Sequence, residues 1–246
     1  MTTTPESGSS GMSASPVASI DGETLAAMLR GAAEALRRQS DAINAINVFP
    51  VPDGDTGTNM SLTMRAAAED AAASGDRTAS GVAAAAAKGA LMGAKGNSGV
   101  ILSQILGGLA RTPVPLDAFD APALAAGFAR ARDAAYAVVG SPREGPILTA
   151  TSAAADAAAA HGDGDVAALL EAVVAATADA VARTPDLLPV LKEAGVVDSG
   201  AQGLYVALDG MLRALRGDAP AAVQDLGAID PAWIGATARV PDAGEQ

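Results

Sequence analysis

Apolar residues recur three and four positions apart through most of this chain, the interval that lines one face of an α-helix. Between Glu23 and Arg38 the set is Leu25, Leu29, Ala32, Ala33 and Leu36, and Asp21 stands just ahead of it. The same periodicity predicts a helix over Thr58–Ala73, capped near Thr56 or Thr58, and another over Thr78–Met92. A fourth starts with Asn97 or Ser98 as cap and runs through Ile101, Leu102, Ile105, Leu106 and Leu109 to Arg111. Further helices are predicted over Asp120–Val139, Leu148–Ala160 and Asp165–Arg183, with a short one over Asp186–Glu193 and a strong last one over Leu204–Arg216. Breakers set the gaps: Pro50, Pro52 and Gly54 make Asn47–Gly57 a loop, and Gly93–Gly96 separates two helices. Gly140–Pro146 reads as a turn and Gly195–Gly203 as a loop, and no segment reads as a convincing strand. The prediction is an all-α fold, an up-and-down barrel or bundle of about eight helices. It occupies residues 21–217, after a disordered leader (1–20) rich in Ser, Thr and Gly and before an aperiodic tail or linker (218–246).

Composition sharpens this reading. Half the residues are hydrophobic but only 2% are aromatic, so the core is built from Ala, Val, Leu, Ile and Met. Alanine is the strongest helix former, and small side chains permit close helix approach. The net charge of -12 repels nucleic acid and anionic membranes. The absence of cysteine excludes disulfides, thiolate catalysis and Cys-based metal centres. No signal peptide and no membrane-spanning run is recognisable, which predicts a soluble, cytoplasmic protein.

Three loops carry candidate chemistry. In Asn47-Val-Phe-Pro-Val-Pro-Asp-Gly-Asp-Thr-Gly-Thr-Asn-Met60, Asp53 and Asp55 stand two residues apart in a proline-stiffened loop. In extended backbone such residues point the same way, so the two carboxylates can converge on one cation. Few hard oxygen ligands suit Mg²⁺, which takes further ligands from water and phosphate. Asn47 and Asn59 are candidates for added ligation or hydrogen bonding, and the helix start at Thr58 favours negative charge nearby. The tripeptide alone is weak evidence, since Asp163-Gly-Asp165 repeats it in an interhelical loop beside His161, the only histidine. An EF-hand reading fails, because its twelfth position is Met64 rather than a bidentate Glu.

The second loop, Gly93-Ala-Lys-Gly-Asn-Ser-Gly99, sits between two helices. Amides at the start of the second helix can hold phosphate oxygens, and Lys95 can neutralise them; otherwise the segment is a glycine-rich helix break. It matches neither a P-loop nor a dinucleotide turn. The third, Glu193-Ala-Gly-Val-Val-Asp-Ser-Gly-Ala-Gln-Gly203, reads as a nucleotide lid with Asp198 on ribose or base, or simply as a helix start capped by Asp198 or Ser199.

Together these loops resemble the nucleotide-binding domain of dihydroxyacetone kinases, the DhaL or DAK2 domain, and most of all the N-terminal domain of bacterial fatty acid kinases. The resemblance runs from about residue 23 to 216. It implies an eight-helix barrel that binds ATP through magnesium at one end, with Asp53 and Asp55 as metal ligands and Asn47 nearest to a third. It implies nucleotide contacts from Thr58, Asn59, Met60, Lys95, Gly96, Asn97, Ser98, Thr149, Asp198, Ser199 and Gly200, within segments that include Glu144–Thr149. Lys95 stands where the family has Arg, Pro146 where it has Thr, and Ala201 in place of a second glycine. No catalytic side chain is implied beyond metal and phosphate positioning, since phosphoryl transfer needs mainly alignment and charge neutralisation. The implied acceptor is an acyl group presented by a partner protein. The dihydroxyacetone-presenting partner of the sugar branch, a non-catalytic nucleotide-binding module and a homodimer stay open.

Overall fold

The computed structural model describes residues 16–138 and 145–227. Eight long helices form among them: α1 (Gly22–Ala45), α2 (Thr56–Ala73), α3 (Ala79–Gly93), α4 (Gly96–Ala110), α5 (Ala121–Val138), α6 (Pro146–Ala160), α7 (Val166–Ala182) and α10 (Ser199–Arg216). Two short ones, α8 (Thr184–Leu187) and α9 (Pro189–Ala194), lie in the α7–α10 connection where one short helix was predicted. Each long helix packs on its neighbour in sequence from α1 to α7, α7 packs on α10, and α10 returns to α1. The ring is closed, so the fold is the predicted all-α up-and-down barrel.

Small residues set the helix spacing. At the α1–α10 seam, an added Cβ on Gly31 would lie 2.6 Å from the Gly210 carbonyl oxygen, and one on Gly210 would lie 2.7 Å from the Ala35 Cβ. The backbones therefore touch, which leaves no room for a larger residue. Inside the ring lie fully buried Met28, Leu36, Met60, Met64, Leu102, Leu148 and Leu169, among many alanines. A core poor in aromatics is filled here by methionine and leucine, which adapt to irregular gaps.

Several boundaries differ from the sequence reading. Ser19–Asp21 (β1) pairs antiparallel with Ala118–Asp120 (β2), with Ile20 opposite Phe119, both buried. No strand was predicted because three residues are too few to show alternation. The pair covers the barrel end where α1 and α5 begin, so the ordered domain starts before residue 21; residues 1–15 lie outside the described set. Helix α1 continues past Arg38 to Ala45, and α6 begins at Pro146, whose missing N–H suits a first helical position. Helix α10 begins at Ser199, not Leu204. Most of the predicted 140–146 turn, Glu144 included, and residues 228–246 lie outside the described residues. Residues 218–227 do not hang free as a tail: Leu226 packs on the apolar clusters of the domain.

Candidate nucleotide and metal site

The alternating direction of the helices brings the starts of α2, α4, α6 and α10 to one end of the barrel. Residues from all four starts line one cavity of about 600 Å³: Thr56, Gly96–Ser98, Pro146–Leu148 and Ser199–Gly200. That volume falls within the range of small-molecule sites, about 300–1,000 Å³. Each helix start presents partial positive charge. In a chain of net charge -12, the backbone thus supplies positive potential to this cavity.

Asn47, Asp53 and Asp55 complete the wall. The loop that carries them is tied from below. The Asn44 side-chain oxygen accepts from the amides of Gly57 (2.8 Å) and Thr58 (3.2 Å), while its Nδ2 donates to Thr58 Oγ1 at 2.9 Å. Asn44 on α1 thus caps α2 from outside, in place of the predicted Thr56 or Thr58 cap. Buried Asn47 donates to the Val51 carbonyl (3.1 Å) and accepts from the Asp55 amide (3.3 Å), so its amide is engaged at both ends as a strut of the loop. Gly54 takes φ +66°, a left-handed turn that suits glycine between the two carboxylates.

Asp55 occupies the N-cap position of α2 yet makes no capping bond with its side chain. In the repeated tripeptide, Asp165 caps α7 through Ala168 N–H at 3.0 Å. The same three residues thus serve two ends. The Asp53 and Asp55 carboxylates are exposed to the cavity, and among the described residues neither forms a salt bridge. Among those residues no three His, Cys, Asp or Glu gather to hold a metal alone. A pair of free carboxylates with open positions around it fits magnesium, which completes its shell from water and phosphate.

Helix α4 begins without a side-chain cap, because Asn97 and Ser98 lie inside its first turn and Lys95 precedes it. Among the described residues the amides of Gly96, Asn97 and Ser98 therefore lack partners, as the first turn of any helix does until something accepts from it. They are the donor set for an anion. Gly96 takes φ +57°, and a Cβ there would meet Asn59 Nδ2 at 2.3 Å. Helix α6 offers less, since Pro146 has no N–H and Leu148 and Thr149 bond back to Gly145.

Across the cavity, Asp198 caps α10 through Ala201 N–H at 2.7 Å, and its own amide donates to Thr184 Oγ1 at 2.9 Å. The Ser199 hydroxyl donates to Thr56 Oγ1 at 3.3 Å, joining the third loop to the first. Asp198 is buried, and burial pushes its carboxyl up to about 6, against the pull of the Ala201 and Gly200 amides.

The cavity thus unites Asn47, Asp53, Asp55, Gly96, Asn97, Ser98, Asp198, Ser199 and Gly200. Five expected nucleotide contacts are not among its lining residues. Met60 is wholly buried against Gly203; Thr58 is held by Asn44; Asn59 sits beneath Gly96; Lys95 is exposed outside the lining; Thr149 lies a turn into α6. Sequence reasoning missed Asn44, Thr184 and Ile147, and read Thr56 only as a candidate helix cap. Of these Asn44 had a weak signal, an Asn just ahead of a loop that leads into a helix.

Fold and site together define a helical barrel whose open end is a cavity with an uncapped helix start and two free carboxylates on its walls. The chain belongs to the DAK2 domain family, whose family model matches residues 50–213. It is 43% identical over 204 residues to Protein YloV of Bacillus subtilis (strain 168), and 41% identical over the same length to an uncharacterized protein of Staphylococcus saprophyticus. Each alignment covers 82% of this chain and 37% of the relative, so the chain spans little more than a third of those proteins. The dihydroxyacetone kinase of C. freundii in its native form shares the fold, with a TM-score of 0.52 at 17% identity over 87% of this chain and 38% of that one. Among the described residues no helix is long and apolar enough to cross a membrane.

Proposed function

We propose that this domain binds Mg–ATP in the cavity at the open end of the barrel and serves as the nucleotide-binding half of a phosphotransferase. The observation that carries the reading is the convergence of uncapped α4 amides and two free carboxylates on one cavity. Asp53 and Asp55 would hold the metal, and the α4 amides of Gly96, Asn97 and Ser98 would donate to the phosphate oxygens. Asn47 keeps the loop in shape instead of acting as third ligand. Magnesium held by these carboxylates would supply charge neutralisation to the phosphates. The protein's own part is alignment: the left-handed turns at Gly54 and Gly96 bring carboxylates and amides to the same phosphates. Asp198, Ser199 and Gly200 border the other side of the cavity, where the nucleoside lies. Lys95, exposed just before the amides, adds long-range attraction.

The acceptor is an acyl group brought by a partner protein, in the manner of a fatty acid kinase. Exposed Phe49, Val51, Val100 and Val138 all border the cavity mouth, an apolar rim that supports delivery of the acceptor from outside. The likeness to dihydroxyacetone kinase is one of fold and does not favour a sugar acceptor. Calorimetric titration of ATP with magnesium tests the reading. The wild-type chain is expected to bind only with magnesium, and an Asp53→Ala, Asp55→Ala variant of unchanged helicity is expected not to bind. Failure of the wild type to bind overturns it.

A further inference from the structure

The segment after α10 runs back along the barrel. Helix α10 of 18 residues is about 27 Å long, and ten extended residues reach about 33 Å, so residues 218–227 suffice to return to the cavity end. They do return there. Gln39 of α1, 3% exposed, donates through Nε2 to the Ala222 carbonyl at 2.9 Å and accepts the Gln224 amide at 3.0 Å. Gln202, in the first turns of α10 and 4% exposed, donates to Gln224 Oε1 at 2.9 Å. Two buried side-chain amides on the two seam helices thus grip one short stretch of chain.

Past that grip, Leu226 packs on a second apolar cluster made of Ile46, Val48, Leu191 and Val196. This cluster is separate from the barrel interior. Ile46 and Val48 flank Asn47 at the root of the carboxylate loop, and Val196 stands two residues before Asp198. One leucine therefore rests on the foundations of both sides of the cavity mouth. The family match ends at residue 213, before this segment begins.

We infer that residues 218–227 are a positioning strap, clipped by Gln39 and Gln202, which holds the Asn47–Asp55 loop and the Val196–Asp198 loop at the spacing that nucleotide binding requires. The inference rests on the nucleotide reading of the cavity, but its structural half does not. A buried glutamine that meets both a carbonyl and an amide of a passing backbone replaces a pair of main-chain hydrogen bonds, so its loss frees the segment without opening the barrel.

The test uses the whole chain with Gln39→Met, which keeps the volume and removes both bonds, and with Leu226→Ala, which lies on the strap itself, outside the barrel helices. Hydrogen exchange is measured over 44–56 and 188–200, and over the opposite barrel end around β1 and β2. Exchange is expected to quicken in the first two regions alone, with far-ultraviolet circular dichroism unchanged. Mg–ATP affinity is expected to fall about three- to tenfold in each variant, the fold-change matching one net hydrogen bond or a small apolar contact. Unchanged exchange in the two loops overturns the strap, and so does acceleration spread evenly over the barrel. Quickened loops with unchanged affinity overturn its role in binding. If the wild type itself does not bind Mg–ATP, the nucleotide reading has failed, and the exchange comparison still decides whether the strap fixes the loops.

Discussion

Replacing Asp198 by Asn isolates what a buried carboxyl costs this fold. The side chain caps α10 through Ala201 N–H, and Asn caps as well as Asp, so the hydrogen bond survives the change. What changes is the titration. An unfolded Asp loses its proton near 3.9, whereas burial holds Asp198 up to about 6. Between those values the native state carries a proton that the unfolded state has released, so stability falls as pH rises through the window. Below about pH 4 both states are protonated and the site contributes no difference. Above pH 6 to 7 the full cost of keeping a charge buried is present, about 3 kcal/mol from the separation of the two values. The Asn variant has no such slope. Urea denaturation of both proteins from pH 4 to 7.5 should therefore show the difference between them moving in favour of Asn by up to about 3 kcal/mol. In thermal melts of a domain this size the same change amounts to about 6–12 °C, if the lost Oδ2 leaves no unpaired amide behind. A fixed offset from an imperfectly placed Asn amide shifts both ends of the curve alike, so the slope is the decisive quantity. A difference that stays constant across the pH range refutes the claim that Asp198 is held ionised against desolvation. If nucleotide binding weakens in the same variant that gains stability, the buried charge is retained for function.

Gly96→Ala forces a Cβ into left-handed backbone and against Asn59, which should lower stability by about 1–2 kcal/mol and weaken Mg–ATP binding, read by melting and calorimetry on one sample. Asn44→Ala removes the external cap of α2, with an expected loss of about 1–2 kcal/mol in urea denaturation and faster exchange at the Gly57 and Thr58 amides. Asp55→Ala should abolish magnesium-dependent nucleotide binding and shift stability by less than about 0.5 kcal/mol, while Asp165→Ala should cost about 1 kcal/mol and leave binding untouched. A melt and a titration on each variant separate the two.

The helices were legible because the barrel interior needs one apolar face from each, and alanine and leucine at three- and four-residue spacing state that face directly. The end of the barrel was harder to read. Ser199–Gly203 looks like a loop on composition, yet it forms the first turns of α10. Gly203 answers to packing, since a Cβ there would strike Met60 Sδ at 2.4 Å. Local propensity lost to tertiary contact there. The same contact explains why Met60, adjacent in sequence to the carboxylate loop, belongs to the core. Residues 218–227 were read as a tail because their partners, Gln39 and Gln202, are far off in sequence and carry no periodic mark. Asp53, Asp55 and the Gly96–Ser98 segment could be singled out because glycine and proline confine them to loops beside helix starts. The amides at the α4 start and the Asp198 cap of α10 could be read; the cap of α2 could not, because Asn44 reaches it from another helix.

Capping explains why one Asp-Gly-Asp lines a cavity and the other closes a turn. A helix start with nothing else to satisfy its amides recruits the nearest carboxylate, and Asp165 is consumed in that way. At α2 the demand is met beforehand by Asn44, delivered from α1 because that helix runs seven residues beyond its predicted end. Asp55 is thereby released from its own helix, and Asp53 is presented beside it by the turn at Gly54. Across the cavity the assignment is reversed: α10 keeps its own Asp198 as cap, and α4 is left uncapped. Carboxylates are freed on one wall and amides on the next, so the proposed cation and anion sites lie side by side in a chain of net charge -12. Moving the cap function back onto Asp55, by deleting the Asn44 amide, should therefore do more than destabilise α2. It draws the Asp55 carboxylate onto its own helix, so Asn44→Ala should weaken magnesium-dependent binding, which Asp165→Ala leaves untouched. Equal binding by these two variants would show that Asp55 is free for some reason other than its neighbour's cap.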